Sequence, residues 1–381
     1  MGNLFTEEHD MFRKSLRKML DKEAYPYFNE WEEKRDVPRT FWRKLGENGF
    51  LCPMVGEEYG GLGLDFGYAM ILTEELERVG AGLASGIALH SDIVTPYIEA
   101  YGTEEQKKRW LPKSVTGELI SAVAMTEPGA GSDLAGINTM ARREGDYYIL
   151  NGEKTFITNG IHADYVVVVC KTDPHAVPAY KGISLIVVET GTPGFKRGKK
   201  LDKIGMHSAD TGELIFEDAK VPAENLLGEE GKGFYYLMDK LQQERLIVAI
   251  EVRVEAEEML RLTTEYVKER NAFGSRIADF QNTQFKLAEM ATEIDIGRTY
   301  VNSLADKHIA GEEIVKEVSM AKWWISEMAK RVASECLQLH GGYGYMEEYE
   351  IARRYRDIPV TAIYAGTTEI MKSIIAKQIL K

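Results

Sequence analysis

Cysteine is scarce in this chain: three residues, Cys52, Cys170 and Cys336, stand far apart and odd in number. That pattern excludes a disulfide framework and suits buried thiols in a reducing compartment. Long apolar runs are missing as well, none approaching the roughly 20 residues that a membrane-spanning helix needs. Positive charge is short: 47 Lys and Arg against 60 Asp and Glu leave a net charge of -13. With no dense Lys/Arg stripe to offset it, a phosphate backbone is repelled, and nucleic acid is excluded as a partner. The seven histidines lack H-x-x-x-H or Cys/His spacing, so no metal site is indicated. Nucleotide signatures fail too. There is no G-x-G-x-x-G, and Gly228-Glu229-Glu230-Gly231-Lys232-Gly233 has Gly where a P-loop needs Ser or Thr. Ser132 lacks the spacing of a hydrolase nucleophile elbow. The N-terminus, acidic at Glu7, Glu8 and Asp10, has neither a secretory nor a transit layout. Met1-Gly2-Asn3-Leu4-Phe5-Thr6 fits the short myristoylation pattern, but a helix N-terminus is the simpler reading. The protein is expected to be intracellular, cytoplasmic or, as a eukaryotic mature chain, in the mitochondrial matrix.

What is present is an ordinary globular composition, 44% hydrophobic and 28% charged over 381 residues, enough for two or three domains. From Glu7 to about Leu119 the pattern is helical, in stretches such as Phe66 to Val79 and Glu104 to Leu111 broken by clusters such as Gly60-Gly61. Between Ile120 and about Leu227 come short β-branched runs, Tyr165 to Cys170 and Ile183 to Val188. Turn signals at Asn151-Gly152, Asn159-Gly160 and Thr192-Pro193-Gly194 separate them. From Gly233 the helical period returns, with Leu287, Met290, Ile294, Val301 and Leu304 on one face and Val318, Ala321, Ile325, Met328 and Val332 on the next. Long helices with short polar connections predict an antiparallel bundle. The domains are therefore drawn at residues 1–119 (α), 120–229 (β) and 230–381 (α). The basic run Lys196-Arg197-Gly198-Lys199-Lys200 reads as a solvated loop.

Thr126-Glu127-Pro128-Gly129-Ala130-Gly131-Ser132-Asp133 follows an apolar stretch read as a strand. Its glycines permit positive φ and close approach of backbone N–H groups to a ligand, and Thr126 and Ser132 add hydroxyls. The octapeptide resembles the flavin loop of acyl-CoA dehydrogenases, as does Phe156-Ile157-Thr158-Asn159-Gly160. Three further segments agree in order: Arg270-Asn271-Ala272-Phe273-Gly274 with Gln281, Gln338-Leu339-His340-Gly341-Gly342-Tyr343-Gly344-Tyr345, and Tyr364-Ala365-Gly366-Thr367-Thr368-Glu369-Ile370. The resemblance spans the chain. It implies an α+β fold of that family, with an N-terminal helical domain, a middle β-barrel-like domain and a C-terminal antiparallel four-helix bundle. It also implies non-covalent FAD, with positions matching Met125, Thr126, Ser132, Phe156 and Thr158 holding the ring and ribityl chain. Arg270, Phe273, Gln281, Gln338, Gly341 and Gly342 match residues that reach the pyrophosphate and adenosine from a neighbouring subunit, and Thr367 and Glu369 also match dinucleotide contacts. Ser132, Tyr235 and Arg245 match contacts to the CoA arm, while Tyr364 and Gly366 flank the acyl group. Family members are homotetramers that pass electrons to an electron-transfer flavoprotein.

One position departs from the pattern. Most of the family has a glutamate, the base for the substrate α-proton, where this chain has Ala365. Glu244, in Leu241-Gln242-Gln243-Glu244-Arg245-Leu246, matches the place where the isovaleryl and long-chain branches carry that base. Leu237, Leu241, Glu244 and Val248 follow 4, 3, 4 spacing, so a carboxylate sits within an apolar helical stripe. An anonymous helical glutamate would be a structural ion pair, with Arg245 at hand. Since Ala365 vacates the usual position, Glu244 is read as the base and the Ala365 N–H as the donor to the thioester carbonyl. The resemblance then implies FAD-dependent α,β-dehydrogenation of a medium or long fatty acyl-CoA to the trans-2-enoyl thioester, closest to the long-chain branch. Alternatives are a dehydrogenase of branched, cyclic or dicarboxylic acyl-CoA, an acyl-CoA oxidase, and a non-catalytic FAD- or CoA-binding homologue supported only by Ala365.

Overall fold

The computed structural model describes residues 4–380. Met1, Gly2 and Asn3 of the myristoylation pattern lie outside the described residues. Thr6 of the same hexapeptide is a helix cap: its side chain accepts from the His9 N–H, and the His9 ring bonds back to the Thr6 N–H. Helices α1 (Glu7–Glu23), α2 (Phe28–Lys34), α3 (Arg39–Glu47), α4 (Phe66–Val79), α5 (Ala81–Ala88), α6 (Thr95–Tyr101) and α7 (Glu104–Val115) form the N-terminal layer. A π-helical turn, Leu89–Val94, joins α5 to α6. Pro96 has no N–H to donate to the Asp92 carbonyl, and the Gln243 side chain donates to that oxygen instead, at 2.6 Å.

Strands β1 (Ser121–Ala124), β2 (Met140–Glu144), β3 (Tyr147–Thr158), β4 (Tyr165–Lys171), β5 (Ile183–Glu189), β6 (Phe195–Lys200), β7 (Thr211–Pro222) and β8 (Leu226–Leu227) make one sheet. Its order is β6-β7-β3-β2-β4-β5-β8, with β1 parallel to β4. β4 and β5 are buried almost throughout, as their unbroken apolar runs require. Two sequence readings are corrected here. Asn151-Gly152 is not a turn but a bulge inside β3, where a Cβ on Gly152 would stand 2.4 Å from Thr139 Oγ1. The basic run is not a loop but the edge strand β6, its Lys196 paired with Glu217 across to β7. Lysines on an edge discourage further strand pairing.

Helix α8 (Gly233–Glu269) is followed by the small hairpin β9 (Asn271–Ala272) and β10 (Ser275–Arg276), then α9 (Gln281–Ile309), α10 (Val315–His340), α11 (Glu350–Asp357) and α12 (Thr368–Ile379). At 37 residues, α8 runs roughly 55 Å. That length lets it pack on α9 and α10 of the C-terminal helices and on α4 of the N-terminal layer. Leu246, Ile247, Val248, Val252 and Met259 join the core shared with Met290, Ile294, Val318, Ile325 and Met328. Half of the charges that α8 buries beside them are ion-paired: Arg253 with Glu74 and Glu257, Glu255 with Arg354 of α11, and Glu258 with Arg78 and Arg261.

Candidate active site

Glu244 lies in the buried middle of α8 and is 6% exposed. The Tyr97 hydroxyl, from α6, donates to Glu244 Oε1 at 2.7 Å. Desolvation pushes the carboxyl up to about 7, against the opposing pull of the Tyr97 hydrogen bond and the positive charge of Arg245. The ion pair with Arg245 that a structural role would call for does not form. Arg245 is also buried, and its Nε donates to the Ala365 carbonyl at 3.4 Å. The same short loop is held from α10, where the fully buried Lys322 donates to the Gly366 carbonyl at 2.6 Å. Two cations thus fix the backbone carbonyls of Ala365 and Gly366, with φ of +53 and +101. A left-handed alanine is uncommon, since its Cβ crowds the backbone. Sequence reading missed Tyr97 and Lys322, which belong to elements remote in the chain from the motifs they serve.

The loop Thr126 to Asp133 is tied down from below. Glu127 accepts from the Asn138 and Thr139 N–H groups and pairs with the buried Lys154, which also donates to the Met125 carbonyl. Thr155 N–H donates to the Thr126 carbonyl. Met125, Thr126 and Thr158 are half-buried and Ser132 is exposed. Gly129 and Gly131 do not use the positive φ that glycine permits; a Cβ at Gly129 would meet open space. The left-handed residue is Phe156, φ +59, at an irregularity near the end of β3, and its ring is 68% exposed. A left-handed φ at a non-glycine residue costs free energy and persists only where the surrounding structure holds it.

A second feature is a solvent-open cleft of about 900 Å³ at the ends of α8 and α10. It brings together Arg270, Gln338, Gly341 and Gly342, with the Arg270 guanidinium over the Tyr343 ring at 5.4 Å. A Cβ at Gly341 or Gly342 would meet no protein atom within 4 Å, so these glycines leave room in the cleft itself. Phe273 is 98% exposed at the β9–β10 turn, and Gln281 opens α9; neither lines the cleft. Thr367 caps α12, accepting from the Ile370 N–H, and Glu369 is exposed on its first turn. Tyr235 is exposed near the start of α8, and Tyr364 is half-buried.

The N-terminal, middle and C-terminal domain models of acyl-CoA dehydrogenase match residues 6–118, 122–219 and 231–380. The chain belongs to the acyl-CoA dehydrogenase family. It is 49% identical over 378 residues to the mitochondrial long-chain specific acyl-CoA dehydrogenase of Sus scrofa, covering 99% of this chain and 87% of that protein. A 3-(aryl)acrylate reductase of Clostridium sporogenes is 40% identical over 99% of this chain and 100% of its own. A crystal structure of an acyl-CoA dehydrogenase from Geobacillus kaustophilus superposes with a TM-score of 0.98 at 68% identity, all of both chains being covered. Acyl-CoA dehydrogenases are FAD oxidoreductases acting on CH–CH bonds. The residues here fit that cofactor: an outward aromatic at Phe156, a fixed loop with exposed hydroxyls, and a cleft carrying a guanidinium suited to a pyrophosphate.

Among the described residues no helix is long and apolar enough to cross a membrane, and no group of three or more His, Cys, Asp or Glu could hold a metal ion.

Proposed function

We propose that the protein dehydrogenates a medium- or long-chain fatty acyl-CoA at Cα–Cβ, with Glu244 as the base. The observation that carries this reading is the Glu244 carboxyl, buried, held by one hydroxyl and raised to about 7, on the helix whose Arg245 holds the Ala365 loop. A base near neutrality is matched to removing a weakly acidic α-proton. Tyr97 orients the carboxylate through Oε1 and leaves Oε2 for the substrate hydrogen. The Ala365 N–H takes the thioester carbonyl and stabilises the enolate charge as it forms; a main-chain donor needs no particular side chain at that position. FAD, when bound, supplies the acceptor for the β-hydrogen as hydride. Met125, Thr126, Ser132, Phe156 and Thr158 would hold its ring side, and Arg270, Gln338, Gly341 and Gly342 its dinucleotide side, joined by Phe273, Gln281, Thr367 and Glu369. Ser132, Tyr235 and Arg245 are assigned to the CoA arm, and Tyr364 and Gly366 to the acyl group.

A homotetramer is part of this reading. Phe273, a fully outward aromatic on a hairpin, has the exposure expected of a residue that packs on a second copy. Electrons are assigned to an electron-transfer flavoprotein. Anaerobic titration of the purified yellow protein with acyl-CoA thioesters of graded length and branching tests the reaction. Bleaching of the flavin band is expected, and its absence with every thioester would refute the proposal. Comparing hydrogen peroxide release with reduction of an electron-transfer flavoprotein separates dehydrogenase from oxidase.

A further inference from the structure

From the α9–α10 connection to the π-helical turn beside Glu244 runs an unbroken chain of hydrogen bonds through two side-chain amides and one imidazole. At its outer end the Ile314 N–H donates to Gln242 Oε1 at 2.8 Å, and Gln242 Nε2 donates to the Glu312 carbonyl at 3.1 Å. The same Nε2 meets His308 Nδ1 at 3.3 Å, and His308 Nε2 meets Gln243 Oε1 at 3.2 Å. Gln243 Nε2 then donates to the Asp92 carbonyl at 2.6 Å. A main-chain N–H can only donate and a carbonyl can only accept, so the two ends fix the direction of every bond between them. Gln242 turns its nitrogen toward the ring, the bond directions assign the His308 proton to Nε2, and Gln243 keeps its nitrogen for Asp92. A second proton, on Nδ1, would face the Gln242 amide nitrogen. Burial and the Lys240 charge lower the His308 pKa and keep the ring neutral. Phe66 of α4 holds the ring edge to face, with centroids 4.7 Å apart.

The chain ends where Glu244 is held. Gln243 and Glu244 are neighbours on α8, and each bonds the same stretch of the N-terminal layer, Gln243 at Asp92 of the π-helical turn and Glu244 at Tyr97 of α6. Pro96 withholds the helical donor to the Asp92 carbonyl, so the turn depends on the side chain that replaces it. Two bonds, of 2.6 and 2.7 Å, thus set how the turn and α6 stand against α8, and the first requires one orientation of the Gln243 amide. We propose that His308 is a positioning residue for the base: through Gln243 it seats the π-helical turn, and with it the Tyr97 hydroxyl, against Glu244. This inference rests on the proposed reaction and deepens it.

The test is the pH profile of kcat/KM for octanoyl-CoA with the FAD-loaded enzyme. His308→Phe keeps a ring against Phe66 and removes both nitrogens. The midpoint is expected to rise from about 7 by up to about one unit, the direction that follows when Tyr97 no longer favours the ionised carboxylate, with FAD content unchanged. Gln243→Met breaks the chain one step nearer the base and is expected to shift the midpoint the same way. His308→Gln, whose amide donates and accepts in the same order, is expected to keep the wild-type midpoint. In a Tyr97→Phe background His308→Phe is expected to add no further shift, because both act through one bond. An unmoved midpoint in His308→Phe and Gln243→Met, or a shift that adds in full to that of Tyr97→Phe, overturns this proposal alone. Failure of octanoyl-CoA and every other thioester to bleach the wild-type flavin overturns the reaction and this proposal together.

Discussion

In the proposed reaction the Glu244 carboxyl must be ionised to work, yet burial raises it to about 7, so activity and stability are tied to the same proton. For proton abstraction, kcat/KM is expected to rise about tenfold per pH unit below 7 and to level above it. For stability the sign is opposite. The folded pKa lies above the ordinary 4.5, so the contribution is full below that value and is lost as pH rises through about 7. Ionised Glu244 then costs the fold about 3 kcal/mol. Glu244→Gln should therefore keep FAD, lose turnover by about a thousandfold, and melt higher than wild type at pH 8, the gain fading toward pH 5 in thermal scans. Tyr97→Phe removes the hydrogen bond that favours the ionised form. It should move the midpoint of the pH profile up by about one unit while leaving the plateau rate within a few-fold.

At the scale of elements, the Tyr364–Gly366 loop is the piece that adapts the site to an alanine. Its carbonyls are held by Arg245 and Lys322, and its left-handed φ at Ala365 is retained without a glycine. Ala365→Gly should stabilise the protein by about 1 kcal/mol, read from denaturant unfolding, with turnover kept within a few-fold because the N–H remains. Lys322→Met should cost about 1–3 kcal/mol and lower kcat, since a buried carbonyl loses its donor and the loop its anchor. The span of α4 was legible in advance from its periodicity; α7 was legible at its start, but it runs on through Pro112 to Val115, past the Leu111 where the sequence reading ended. The Asn151-Gly152 bulge was not legible, because the dipeptide serves a hairpin turn and a strand irregularity equally well. Only the pairing of β3 with β2 and β7 separates them.

For the whole molecule, buried acids without cations dominate the pH response. Asp92, Glu251 and Asp357 are each pushed up to about 8, chiefly by desolvation. Their native forms hold protons that the unfolded chain has released, so the stability they contribute falls as pH rises from about 4 to about 8. Lys203 and Lys322, lowered to about 8 by burial, act the other way only above that value, where they shed their charge. The thermal midpoint of the protein is therefore expected to fall between pH 6 and pH 8, a drift that Asp92→Asn and Glu251→Gln together should reduce.

From its sequence alone the chain settles its α, β, α order, its family motifs and the absence of a glutamate at Ala365, because periodicity and ordered local motifs are written in neighbouring residues. Which way a buried carboxylate is held is not written there. The partner of Glu244 is Tyr97, 147 positions away, and the adjacent Arg245 serves a loop 120 positions on. Adjacent residues on a helix point about 100° apart, so partnership is decided by which remote element packs on each face, and that is a property of the tertiary fold.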